Sequence, residues 1–256
     1  MSNLLVGECI LVVGAAGLLG GSVTRHALEQ GAKVIAVDLS MIRLQEKLLK
    51  QGIDITSSNL SFCTLDITVE KDVINFFESD ISITGAVNCT YPRNSAYGAP
   101  FFDVSMIDFN ENLSLHLGSA FLFTQQCAKY FKIDKKPFSL VNISSVYGVI
   151  APKFQIYDDT PMSMPVEYAA IKSAILHLDK YVINYVNNSR FRINSVSPGG
   201  IFDNQPESFL NAYKALTNGE GMLDVNDIIG AIIFLLSPLS KFVTGQNIIV
   251  DDGFTL

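Results

Sequence analysis

A run of five apolar residues, Cys9-Ile10-Leu11-Val12-Val13, passes directly into Gly14-Ala15-Ala16-Gly17-Leu18-Leu19-Gly20. This junction constrains the fold more than any other stretch of the chain. The run reads as a strand buried on both faces. The next segment, Leu18 to Gln30, has helical periodicity and is stopped by Gly31. Glycines between the two let the backbone turn tightly and approach a pyrophosphate closely. The first helical turn then offers phosphate its unpaired N–H groups and the positive end of the helix dipole. A plain tight turn would not need three glycines at this spacing.

The same alternation continues along the chain. Strands are predicted at Lys33–Val37, Leu60–Thr64, Gly85–Asn88, Phe138–Ile143, Phe191–Val196 and Asn247–Val250. Helices are predicted at Met41–Gln51, Val69–Glu78, about Ser105–Phe131 and Pro165–Asn187. Strands apolar on both faces and joined by helical crossovers make a parallel sheet with helices on each side. No linker, repeat or low-complexity tract divides the 256 residues, so residues 1–256 are read as one α/β domain with a Rossmann-like, doubly wound sheet of about seven strands. The least regular parts, 146–164 and 199–221, follow the carboxyl ends of strands, where such sheets bind ligands.

Composition narrows the function classes. Lys and Arg total 18 against 25 Asp and Glu, and no cationic stripe is present, which argues against nucleic acid or an anionic membrane as partner. Cys9, Cys63, Cys89 and Cys127 match neither a zinc knuckle nor a CxxC pair and read as free thiols. His26, His116 and His177 are isolated from one another in helical segments and read as ordinary helix positions, so no metal site is expected. The N-terminus lacks a basic signal region, and the apolar stretch from Cys9 to Leu19 is too short to span a bilayer, so a cytoplasmic protein is expected.

Asp38 ends the second strand. A carboxylate there accepts hydrogen bonds from both ribose hydroxyls and repels a 2′-phosphate, which favours NAD over NADP. Arg43 is the one nearby cation that argues the other way. Asp66, after the third strand, can accept from an adenine amino group, although an N-cap role for Asp66 or Thr68 competes with it.

Val141-Asn142-Ile143-Ser144-Ser145 ends the fifth strand on the ligand-binding edge, where a serine hydroxyl can bond a substrate oxygen. Tyr168 and Lys172 stand four apart at the start of the next helix, on one face. An ammonium beside a phenol favours phenolate and should lower the tyrosine pKa from roughly 10 towards neutrality. Asn112, inside the long helix, can hold a water that passes protons to the lysine.

These residues together resemble the short-chain dehydrogenase/reductase family, from Gly14 to the end of the chain. Ser197-Pro198-Gly199, Thr244-Gly245-Gln246 and Val250-Asp251-Asp252-Gly253 add to the likeness. The resemblance implies hydride transfer with a nicotinamide cofactor and a homotetramer or dimer. It makes Tyr168 the general acid/base, with Lys172 lowering its pKa and holding the nicotinamide ribose. Ser145, preferred over Ser144 for its spacing to Tyr147-Gly148, would orient the substrate oxygen, and Asn112 would complete the relay. Cofactor contacts are implied for Gly14, Ala16, Gly17, Leu18, Leu19, Gly20, Asp38, Leu39, Asp66, Ile67, Asn88, Pro198, Gly199 and Ile201, besides Tyr168 and Lys172.

Three departures mark this chain. The glycine spacing is closer to the family's extended branch. Asn88-Cys89-Thr90-Tyr91 replaces the usual Asn-Asn-Ala-Gly. Ser145 and Tyr168 are 23 apart, and the extra residues around Pro152–Met164 are expected to form a substrate-side loop. Substrate-pocket lining is expected from Tyr91, Arg93, Tyr147, Phe154, Tyr157 and 201–209. Arg93 can bind a phosphate or carboxylate, or stand as a solvated cation. Tyr91-Pro92-Arg93-Asn94 and the stretch Pro198 to Pro206 are similar to family members of flagellin and surface-glycan modification, which implies a sugar or sugar-phosphate substrate. The alternatives are an NAD-dependent epimerase or dehydratase and a non-catalytic NAD-binding regulator.

Overall fold

A computed structural model describes residues 3–256. Seven parallel strands form one sheet in the order β3-β2-β1-β4-β5-β6-β7. They are β1 Cys9–Val13, β2 Lys33–Asp38, β3 Leu60–Thr64, β4 Gly85–Asn88, β5 Phe138–Ile143, β6 Phe191–Pro198 and β7 Asn247–Val250. The order reverses between β1 and β4, which opens a crevice at the carboxyl ends of the strands.

Helices α1 Leu18–Glu29, α2 Met41–Lys50 and α3 Glu70–Glu78 connect the first four strands. Helix α4, Met106–Asn112, runs through a π-helical turn, Leu113–Gly118, into α5, Ser119–Asp134. Helix α6 is Val166–Val186. One sheet face is covered by Val23, Ala27, Leu44 and Leu48, together with Ile229, Ile232 and Ile233 of α8, Ile229–Leu236. The other face is covered by Val73, Phe76, Phe77, Leu122, Phe123 and Phe131. A third cluster, Val146, Tyr147, Ile156, Phe209, Tyr213 and Phe254, sits above the carboxyl ends of the strands.

Two elements differ from the sequence expectation. The stretch 199–221 contains a helix, α7 Glu207–Lys214, whose apolar Phe209 and Tyr213 pack into the third cluster. Helix α8 has no counterpart among the helices expected from the sequence. It is apolar on nearly every side, so it lacks the polar face that makes helical periodicity visible, and it packs against α1 and the sheet.

β6 is buried along its whole length although half its residues are polar, and each polar side chain finds a partner. Arg192 donates to Leu235 O at 2.8 Å, Asn194 to Val243 O at 2.9 Å, and Ser197 to Asn247 Oδ1 at 2.7 Å. Asp179 of α6 lies buried beneath β5 and β6, accepting from Asn142 Nδ2 at 2.8 Å and Ser195 Oγ at 2.6 Å. Burial pushes its carboxyl up to about 6, against the pull of these two donors. An acid raised in the fold holds its proton better folded than unfolded. Its contribution is therefore present at low pH and is lost as pH rises from about 4 through about 6, on the order of 2–3 kcal/mol. Asp179→Asn should accordingly gain stability relative to wild type between pH 4 and pH 7 in urea unfolding. A stability difference independent of pH would refute this.

Candidate active site

The glycine turn after β1 is held by its own backbone. Gly14 and Ala15 donate to Val37 O of β2 at 2.9 and 3.0 Å. Gly14 adopts φ +78, and a Cβ there would stand 2.9 Å from the Cys89 carbonyl. Gly17 is the N-cap of α1 and has no side chain to satisfy the helix's first N–H groups. A groove of about 520 Å³ starts at this turn, bordered by Gly14, Ala16, Gly17, Asp38, Leu39 and Arg43. It continues past Asp66 and Ile67 to the segment Cys89–Arg93.

Asp38 is fixed at the groove edge. Its Oδ2 accepts from Ala16 N and its Oδ1 from Leu39 N, both at 2.9 Å. Asp66 closes a local turn, its Oδ1 accepting from Thr68 N at 2.9 Å and Thr68 Oγ1 at 2.6 Å, while the residue still borders the groove. The N-cap of α3 is Val69 rather than either of them. Asn88 Oδ1 accepts from the N–H and hydroxyl of Thr90 and so shapes the floor. Leu19 packs on the sheet core and Gly20 is buried within α1, and neither side faces the groove.

Cys89, Thr90, Tyr91 and Arg93 form the wall shared with a second cavity of about 610 Å³. There Leu18 meets Ser145, Tyr168, Lys172, Pro198, Gly199 and Ile201. Tyr147, Tyr157, Met162, Met164 and Phe209 form its far wall, so residues of 146–164 and 199–221 do reach it. Phe154 does not, being turned to solvent. Lys153 pins the 146–164 segment by donating to Phe254 O and lying over that ring.

Within this cavity the two serines have different surroundings. Ser144 is locked, donating to Lys172 O at 2.8 Å. Ser145 Oγ accepts from Tyr147 N at 3.2 Å and lies near enough to the Tyr168 phenol to pull its pKa down. Burial raises the Tyr168 pKa above the ordinary tyrosine value, and the nearby Ser145 hydroxyl only partly offsets it. This departs from the expected pull towards neutrality. The physical reason is that Lys172 is itself desolvated, its ammonium lowered to about 7 by burial. Its Nζ donates to Ile143 O at 2.8 Å and lies 5.5 Å from the centre of the Tyr168 ring.

Asn112 is buried, and its amide bonds residues other than Lys172. Its Oδ1 accepts from Asn94 N at 3.0 Å and its Nδ2 donates to Glu167 Oε1 at 3.2 Å. The residue that does reach Lys172 is His116, with Nε2 3.5 Å from Nζ. A solitary histidine in a helix gave no sequence signal for this. The π-helical turn and the proximity of α6 produce it. Tyr91 likewise takes a larger part than foreseen, its ring edge-to-face with both Tyr168 and His116. All four cysteines are free, and only Cys127 is fully buried. Among the described residues no group of three or more His, Cys, Asp or Glu is placed to hold a metal ion, and no helix is long and apolar enough to cross a membrane.

A doubly wound sheet carrying this groove on its switch edge is a scaffold suited to holding a dinucleotide. The family model described as Enoyl-(Acyl carrier protein) reductase matches residues 14–255. Post-translational flagellin modification protein A of Campylobacter coli is 36% identical over 99% of this chain and 100% of its own length. A short-chain dehydrogenase from Leptospira borgpetersenii, solved with bound NAD+, superposes with a TM-score of 0.85 at 31% identity, covering 97% of this chain and 93% of that one. A gluconate 5-dehydrogenase from Burkholderia cenocepacia, in complex with NADP and tartrate, shares the fold at a TM-score of 0.82 and 21% identity, covering 99% of this chain and 97% of that one. The chain belongs to the short-chain dehydrogenase/reductase family, whose members are oxidoreductases acting on CH–OH groups with NAD or NADP.

Proposed function

We propose that this protein interconverts a secondary alcohol and a ketone on a sugar or sugar-phosphate, using NAD. The observation that carries this is the Ser145–Tyr168 pair opening into a cavity walled by tyrosines and containing Arg93. Phenol faces and hydroxyls suit a polyhydroxylated ring, which presents both C–H faces and hydrogen-bonding groups. The Arg93 guanidinium lies over the Tyr91 ring at 4.7 Å and suits a phosphate or carboxylate on the substrate. A relative named for post-translational flagellin modification is in keeping with this reading.

The groove fits a dinucleotide. The uncapped start of α1 and the close approach at Gly14 accommodate a pyrophosphate, and Asp38 has acceptor capacity left for a ribose. When bound, NAD accepts or returns the hydride. Tyr168 takes the proton from the substrate hydroxyl in oxidation and returns it to the carbonyl in reduction. Ser145 holds the substrate oxygen against the phenol. Lys172 anchors the ribose beside them, and Asn112 holds the Tyr91–Asn94 segment in place through Asn94 N. Asp38 disfavours a 2′-phosphate, so NAD is preferred although Arg43 borders the groove. Exposed Phe121 and Ile133 on α5, with Tyr181 and Tyr185 on α6, suit a helix-to-helix contact between copies.

A screen of phosphorylated sugars, sugar acids and plain sugars, each with NAD and NADP, tests the assignment. Turnover with an anionic sugar and NAD is expected, from protein sedimenting as a dimer or tetramer. Turnover confined to apolar alcohols, or to NADP, would overturn the substrate or cofactor assignment, and a monomer would overturn the oligomer.

A further inference from the structure

We propose that His116 is a positioning residue for Lys172. It would supply the second of two fixed acceptors that aim the ammonium at the cofactor ribose. The inference rests on Lys172 being the ribose anchor.

Four observations lead to it. The helix opens into a π-helical turn at Leu113–Gly118, and such turns re-aim side chains. His116, on that turn, is 2% exposed, and its Nε2 lies 3.5 Å from Lys172 Nζ, at the outer limit of a hydrogen bond. Its Nδ1 has no partner among the described residues, so contact with Lys172 is the one side-chain polar interaction its burial retains. The ring is also steadied by the edge-to-face contact with Tyr91, 5.1 Å between centres.

The donor count on Lys172 explains what this does. An ammonium has three N–H groups on a flexible four-carbon stem. Ile143 O takes one at 2.8 Å, and a single bond leaves the head free to swing about it. A second acceptor at His116 Nε2 fixes the head and leaves the third N–H for the cavity that Lys172 lines. The imidazole is suited to accept because burial, then the charges of Lys172 and Arg93, hold its pKa down at about 2. The part this contact gives His116 is to hold the ammonium in place, a geometric role. A residue that merely filled the space would be replaced without loss by phenylalanine, and that distinction makes the proposal testable.

The test is an NADH titration by fluorescence on wild type, His116→Phe, His116→Gln, Lys172→Met and the His116→Phe/Lys172→Met double variant. His116→Phe should weaken NADH about tenfold, the worth of one charge-assisted hydrogen bond. His116→Gln, whose amide oxygen can stand near the Nε2 position, should recover most of that loss. With Lys172→Met already present, His116→Phe should add nothing. Equal losses in both backgrounds, or none in His116→Phe, would overturn the proposal. If the phenylalanine variant does not fold, His116→Met takes its place in the same cycle. Wild type that binds no NADH would overturn the proposed function and this inference together. Binding that needs Lys172 but ignores His116 overturns this inference alone.

Discussion

Tyr168→Phe is expected to lower kcat by about 10³-fold while leaving NADH affinity within a few-fold of wild type. General acid/base catalysis by a positioned group contributes on the order of 10²–10⁴-fold, and the phenol is the proposed proton carrier in this cavity. The substitution removes one oxygen and keeps the ring, so the contact with Tyr91 at 5.7 Å survives and the fold should not suffer. Because burial raises the Tyr168 pKa, the free enzyme holds a neutral phenol at pH 7. That form is ready to give a proton to a carbonyl. Alcohol oxidation needs it deprotonated and should quicken as pH rises. The checks are steady-state kinetics on the substrate found in the screen and a pH profile in each direction. Unchanged turnover in Tyr168→Phe would remove Tyr168 from the chemistry altogether.

Gly20→Ala should also be damaging, through the backbone rather than the chemistry. A Cβ at Gly20 would lie 2.2 Å from Gly14 O and 2.9 Å from Ala15 Cα. These atoms belong to the turn that the dinucleotide must approach, and β2 holds them in place through Val37 O. The first turn of α1 therefore cannot accept a methyl group unless the glycine turn shifts by about 1 Å, and overpacking of this kind costs roughly 1–3 kcal/mol. NADH affinity should fall at least tenfold, or about 1.4 kcal/mol, and the melting temperature should drop with it. Fluorescence titration and thermal unfolding read the two effects. Wild-type affinity in Gly20→Ala would mean that the turn is not part of the cofactor site.

The legible parts of the chain were those where one local rule acts alone. All seven strands lie where they were expected, most of them as short apolar runs bounded by polar or glycine residues, as with Cys9–Val13, while the half-polar β6 is the exception. Asp38 and the glycine turn were visible because their chemistry is set by position at a strand end. The less legible parts depend on contacts between distant segments. The helix α8 has no polar face to reveal its period. The part of Asn112 turns on Asn94 and Glu167, which no spacing announces. His116 meets Lys172 only because the helix opens into a π-helical turn, a change of winding that leaves no compositional trace. The expected pull on the Tyr168 pKa rested on a pairing with Lys172 alone, whereas burial of both groups decides its direction.

The segment Cys89–Arg93 borders the groove on one side and the tyrosine-walled cavity on the other. Two ligands with a common boundary cannot be thermodynamically independent if either one displaces it. A substrate that moves Tyr91 or Arg93 alters the surface offered to the dinucleotide, and the dinucleotide does the same to the substrate by an equal free energy. This makes a five-residue stretch with no proposed chemistry of its own, apart from the guanidinium of Arg93, the place where order of binding is decided. Sequence changes there would show first as altered synergy between the two ligands rather than as lost affinity for either.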